Sequence, residues 1–172
     1  MSHMPRWYDE SKRLAASGQH EAAYQVLRDA AASGNLEPLA TLARMMWAHD
    51  ISEKPIAILE DVARRVKPED WETNFAVHLA YSVGVGAGQR DFEEIQRRAF
   101  KHLEAAASAS DDARMFLSVG LHYWHGLNGV QRNETQAMKW LEAAASSGEP
   151  DIVSEYKRFM QQKPSPRGTS AA

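Results

Sequence analysis

Apolar residues return every three or four positions along most of this chain, and strand-like alternation never runs beyond a few positions. Ala23, Leu27, Ala30 and Ala31 share one helical face, and Ile152, Val153, Tyr156, Phe159 and Met160 form another stripe. Segments rich in Ala, Leu, Glu and Arg favour helix. The pattern predicts an all-α chain with helix pairs at 5–17 with 19–33, 36–49 with 54–66, 69–84 with 91–108, and 111–126 with 133–147. A ninth helix at about 150–162 is expected to cap the open end of the stack, with Glu155, Lys157, Arg158, Gln161 and Gln162 as its polar outer face. Gly34, Gly126, Gly129 and Gly148 stand where the chain must leave a helix and reverse. Ser52, Asp91 and Asn133 precede helical patterns and are expected to cap them. Residues 1–4 read as a cloning remnant or a disordered start, and 163–172 as a disordered tail without core-forming residues, so one domain is expected over 5–162.

Each predicted pair closes on a similar word. Leu27-Arg28-Asp29-Ala30-Ala31-Ala32-Ser33-Gly34 ends the first and Leu59-Glu60-Asp61-Val62-Ala63 the second. Leu103-Glu104-Ala105-Ala106-Ala107-Ser108 ends the third, and Leu141-Glu142-Ala143-Ala144-Ala145-Ser146-Ser147-Gly148 the fourth. The anchoring leucines are 32, 44 and 38 residues apart. Periods of this size mark stacked helix pairs, because one pair cannot bury its apolar face alone.

The fourth copy reads Ala113, Val119-Gly120, Tyr123, Gly126, Gly129-Val130, Asn133, Ala137, Trp140, Ala144-Ala145 and Gly148. It resembles the Sel-one-like repeat, a relative of the tetratricopeptide repeat, with one extra turn residue and Asn133 where Asp is usual. The third copy keeps Tyr81, Gly84, Gly86-Ala87, Asp91, Ala99 and Ala106-Ala107. About four extra residues between Asp91 and Ala99 predict an additional turn at the start of its second helix. The first copy (Trp7, Ser11, Leu14, Gly18, Ala23, Leu27, Ala30) is closer to a plain tetratricopeptide repeat. The second has Pro55 in place of Ala, which is tolerated if Pro55 opens the helix. The resemblance covers roughly residues 5–150 and is strongest from 76 onward. It implies a right-handed α-solenoid of about four helix-turn-helix repeats plus the capping helix.

Composition narrows the chemistry. A net charge of −3 argues against a nucleic-acid binder, and glutamates (Glu93, Glu94, Glu104) interleave with the local basic cluster of Arg97, Arg98 and Lys101, which reads as a solvated face. The absence of cysteine excludes disulfides, thiolate catalysis and Cys-based zinc sites. No stretch approaches the ~20 apolar residues of a membrane span, and the first residues are no signal peptide, so no membrane insertion and a cytoplasmic location are expected.

No catalytic set is recognisable. His122 and His125 lie one helical turn apart, but a metal would want further ligands, such as His78, and no HExxH-like word is present. His102 takes the place of Trp140 and reads as a packing substitution. Adjacent carboxylates at Glu93-Glu94 and Asp111-Asp112 diverge around a helix, and the latter pair is expected to cap the next helix. The Gly84–Gly88 run follows a helix rather than a strand and lacks the Lys of a phosphate loop. No catalytic residue, metal or cofactor is therefore expected.

In repeats of this class the first helix of each pair lines the concave face. The resemblance implies that residues two before and one past the family's Tyr position face the groove. These are Leu121 and Trp124, Leu79 and Ser82, Arg44 and Trp47 if Met46 holds that position, and Lys12 and Ala15 if Leu14 does. His125 is added as a free position beside Trp124. Trp and Arg are common interface anchors, whereas burial above about nine-tenths at both tryptophans contradicts a groove placement. The expected function is non-catalytic binding of another protein, as an adaptor or regulator of bacterial style taking a peptide or helix in the groove. Two other readings stand beside it: an immunity-type inhibitor that blocks a toxin or enzyme, and an enzyme with an unrecognised groove site.

Overall fold

The computed structural model describes residues 5–48, 54–85 and 92–162. Among them the chain is all-α, with helices α1 (Arg6–Ala16), α2 (His20–Ala31), α3 (Glu37–Trp47), α4 (Lys54–Arg65), α5 (Trp71–Val85), α6 (Phe92–Ala109), α7 (Ala113–His125), α8 (Glu134–Ala145) and α9 (Pro150–Gln162). Each helix predicted from the periodicity is present, with ends within a few residues of the expected ones. Ser52, Asp91, residues 86–88 of the glycine run, and both termini fall outside the described residues.

The helices gather into two compact units. The first comprises residues 1–111 with 128–130, and the second 112–127 with 131–172. In the first, each helix packs against its pair partner, and α3 also packs against α2 and α5. In the second, α7 pairs with α8, and α9 packs on both.

The leucine word explains the packing. Leu27, Leu59, Leu103 and Leu141 are at most 1 % exposed. Small residues recur beside them at the helix crossings: Ala23, Ala106, Ala137 and Ala144 have no exposed surface. α6 opens at Phe92, one turn earlier relative to Ala99 than α8 opens relative to Ala137, as the four extra residues require. Pro55 is the second residue of α4, where its missing N–H leaves no helix bond unmade, and it is buried.

The caps follow the sequence. The Asp112 carboxylate accepts from the backbone N–H of Arg114 at 2.8 Å, and Asn133 Oδ1 from that of Gln136 at 3.0 Å. Gly126 ends α7 at φ 66°, a left-handed conformation that costs glycine nothing. The Asn133 N–H then donates to the Tyr123 carbonyl at 2.9 Å, fastening the turn to the helix it leaves.

Gly120 has a different reason to be glycine. A Cβ there lies 2.8 Å from Leu141 Cγ and Cδ2 and 3.3 Å from the Ala137 carbonyl oxygen. Leu141 is fully enclosed and cannot retreat. Gly120→Ala gains about 1 kcal/mol of helix propensity but overpacks the α7–α8 crossing at a cost of about 1–3 kcal/mol. A net loss in urea-unfolding free energy is expected, and a gain contradicts this crossing geometry.

Candidate functional site

The first helices α1, α3, α5 and α7 carry the positions expected to face a partner. Residues two before and one past a given position are three apart, so they differ by about 60° around a helix. That angle separates them here. Lys12 is exposed, with Nζ 5.2 Å from the Tyr8 ring centroid. Arg44, Leu79 and Leu121 are half-buried, and Ser82 is exposed with its hydroxyl donating to the His78 carbonyl at 2.9 Å. His125 is exposed, its ring 5.9 Å from that of Phe159.

Trp47 and Trp124, expected in the groove, are buried instead. They are 4 % and 7 % exposed, core residues rather than groove residues. Trp47 joins Ala43, Leu59, Val77 and Tyr81 in the core of the first unit. Trp124 joins Ala137, Leu141 and Phe159 in the second, edge-on to the Phe159 ring at 6.0 Å. The physical reason is the neighbouring helix. α3 packs on α5 and α7 on α9, so the flank of each first helix that carries its tryptophan is covered.

A buried polar chain, unnoticed in the sequence, ties α5 to α6. Asn74 is 2 % exposed. Its Nδ2 donates to the carbonyls of Lys67 and Asp70, both at 2.9 Å. Its Oδ1 is left to accept from His102 at 2.9 Å, which places the imidazole proton on Nδ1. The His102 ring stacks on Tyr81, with centroids 6.1 Å apart. His78 Nδ1 donates to the Ala99 carbonyl at 2.9 Å, a second tie between the same helices. His122 donates back to the Ser118 carbonyl at 2.8 Å. His78 and His102 tie α5 to α6, whereas the His122 bond stays within α7; among the described residues no three His, Asp or Glu side chains gather as a metal site.

Burial, helped by Lys101 and His78, pushes His102 down to about 4. Burial also pushes Glu37, at the start of α3, up to about 7, with Glu72 and Asp70 adding to the shift. The two act oppositely on stability. A depressed histidine contributes stability above its ordinary value of 6.5 that is lost as pH falls towards 4, up to about 3 kcal/mol. A raised glutamate is a burden above pH 7 that is relieved as pH falls to 4.5, so part of the acid loss is masked. Comparing chemical denaturation of the wild type with His102→Gln separates them. The wild type should lose stability relative to the variant between pH 6.5 and 4; parallel profiles contradict the assignment.

The organisation from α5 to the end of α8 is a repeated one. Residues 76–111 and 112–149 each match the family model described as the Sel1 repeat. The chain carries two Sel1 repeats. Their junction coincides with the boundary between the two compact units at Asp111 and Asp112. Residues 5–75 lie outside that match, yet their pairs bury Leu27 and Leu59 as the Sel1 repeats bury Leu103 and Leu141. The chain is also similar to the ERAD-associated E3 ubiquitin-protein ligase component HRD3A of Arabidopsis thaliana, with 27% identity over 128 residues. That alignment covers 70% of this chain and 19% of HRD3A, so the chain spans about a fifth of the relative's length. No solved structure matches. Among the described residues no helix is long and apolar enough to cross a membrane.

Proposed function

We propose that this chain is a non-catalytic protein-interaction module, an adaptor or regulator that holds a peptide or helix of a partner protein. The observation that carries the reading is the pair of Sel1 repeats, a repeat class typical of protein binding. The similarity to a component of a ubiquitin-ligase assembly agrees with it. Within the first unit the contact surface is the open flank of the first helices, with Lys12, Arg44, Leu79 and Ser82; in the second unit it is Leu121 and His125 on α7. Lys12, Ser82 and His125 are exposed and Arg44, Leu79 and Leu121 half-buried, so cationic and aliphatic side chains keep some accessible surface there. Trp47 and Trp124 act beneath this surface by fixing helix spacing.

The test is affinity capture from the source cell with the whole chain as bait, wild type against Arg44→Ala/Leu79→Ala. The wild type is expected to retain a partner saturably, and the variant to lose most of it while keeping its helical circular dichroism. Full capture by a folded variant overturns the surface assignment.

A further inference from the structure

The second helices of the first unit carry a cleft that the first-helix surface does not use. It is open, about 370 Å³, and runs between Ala63 and Arg64 of α4 and Arg98, Lys101 and His102 of α6, with Tyr81 of α5 at its base. Glu60 is the one carboxylate on its wall. A second depression, about 440 Å³, continues along α6 past Arg97 and Glu94 and shares Arg98 and Lys101 with the first.

The charges in this cleft are unequally engaged. Arg98 is held by Glu94 at 2.9 Å and Glu60 at 3.3 Å. Arg97 pairs with Glu94 at 3.0 Å. Arg64 reaches Asp61 only at 3.4 Å, with both side chains well exposed, a weak pairing. Lys101 is exposed and has no ion pair among the described residues. The carboxylates thus hold the arginines in place along α6 while Lys101 and Arg64 remain to meet an incoming anion.

We propose that this cleft binds an extended acidic segment of a protein partner, its carboxylates meeting Lys101 and Arg64 and its aliphatic stems lying over Ala63. Three observations select that occupant. The two depressions form one elongated track, which suits an extended chain better than a compact ligand. The cationic lining is local in a chain of net charge −3, so recognition rests on these side chains rather than on overall attraction. A nucleic acid strand would want exposed aromatic platforms for its bases, and Tyr81 is only 2 % exposed. This site needs neither Arg44 nor Leu79, so its failure and that of the first-helix surface are separable.

The test uses the full chain labelled with nitrogen-15, titrated at low salt with an octaglutamate peptide, with octaglutamine and with an oligouridine. Octaglutamate is expected to shift the amides of Ala63, Arg64, Lys101 and His102 saturably, and added salt to weaken the effect. Arg64→Glu/Lys101→Glu should weaken binding about tenfold or more, since both contacts turn repulsive. Lys139→Glu/Lys157→Glu, with the same charge change in the second unit, should stay within about twofold, since neither side chain lines the cleft. The proposal is overturned if octaglutamate fails to saturate those shifts, if the two variants lose binding equally, or if octaglutamine or the oligouridine binds as tightly.

Discussion

Trp47→Ala is expected to lower the unfolding free energy by about 3–5 kcal/mol, and Trp124→Ala by a similar amount. Each indole is more than nine-tenths enclosed and touches several helices of its own unit. Truncation removes that apolar area from contact and leaves a cavity that α-helical surroundings fill only partly. Two further variants sharpen the point. The Trp47 Nε1 is buried with no acceptor among the described residues, so Trp47→Phe forfeits no hydrogen bond and should cost under about 1.5 kcal/mol. Phe159→Ala should weaken the second unit in the same way as Trp124→Ala, because the two rings pack on each other. Chemical denaturation followed by circular dichroism reads all four. Losses below about 0.5 kcal/mol for both Trp→Ala changes are the mark of surface residues and would return the indoles to an exposed face.

Leu103→Ala is expected to cost about 2–5 kcal/mol, and so are Leu27→Ala, Leu59→Ala and Leu141→Ala. These leucines define the spacing of the repeat, and all four are enclosed where a second helix meets its neighbours. Leu127→Ala and Met160→Ala are the internal comparison. Those side chains are 43 % and 40 % exposed, so their removal should stay within about 0.5 kcal/mol. If the four anchors vary as little as the two exposed residues, the leucine word is a coincidence of composition rather than the seam of the fold.

The helix pairs were legible because several signals agreed at each one. A face at helical spacing, a cap such as Asp112 or Asn133, and a glycine such as Gly126 bounded the fourth pair from the sequence alone. The longer α6 was legible as well, since four additional residues between fixed repeat positions have only one helical outcome. The orientation of the tryptophans was not. Register locates a residue on a helix, but the neighbour that covers one flank is a tertiary fact, and about 60° separates a covered position from an open one. Arg44 is half-buried three residues before Trp47, which is covered. The Asn74–His102 contact joins residues 28 positions apart and has no periodic signature. The only sequence hint was a histidine standing where the fourth copy has Trp140. Likewise, the cluster at Arg97, Arg98 and Lys101 reads in sequence as a solvated face with interleaved glutamates, whereas the structure pairs both arginines with Glu94 and shows no ion pair for Lys101 among the described residues.

Partner binding is proposed on the flanks of the first helices, over a core fixed by the repeat leucines and the two tryptophans. Amide hydrogen exchange of the chain alone and with its captured partner tests this most directly. Slowed exchange in α1, α3, α5 or α7, around Lys12, Arg44, Leu79, Ser82, Leu121 and His125, is the predicted result. Protection confined to the second helices α2, α4, α6 and α8 would contradict it.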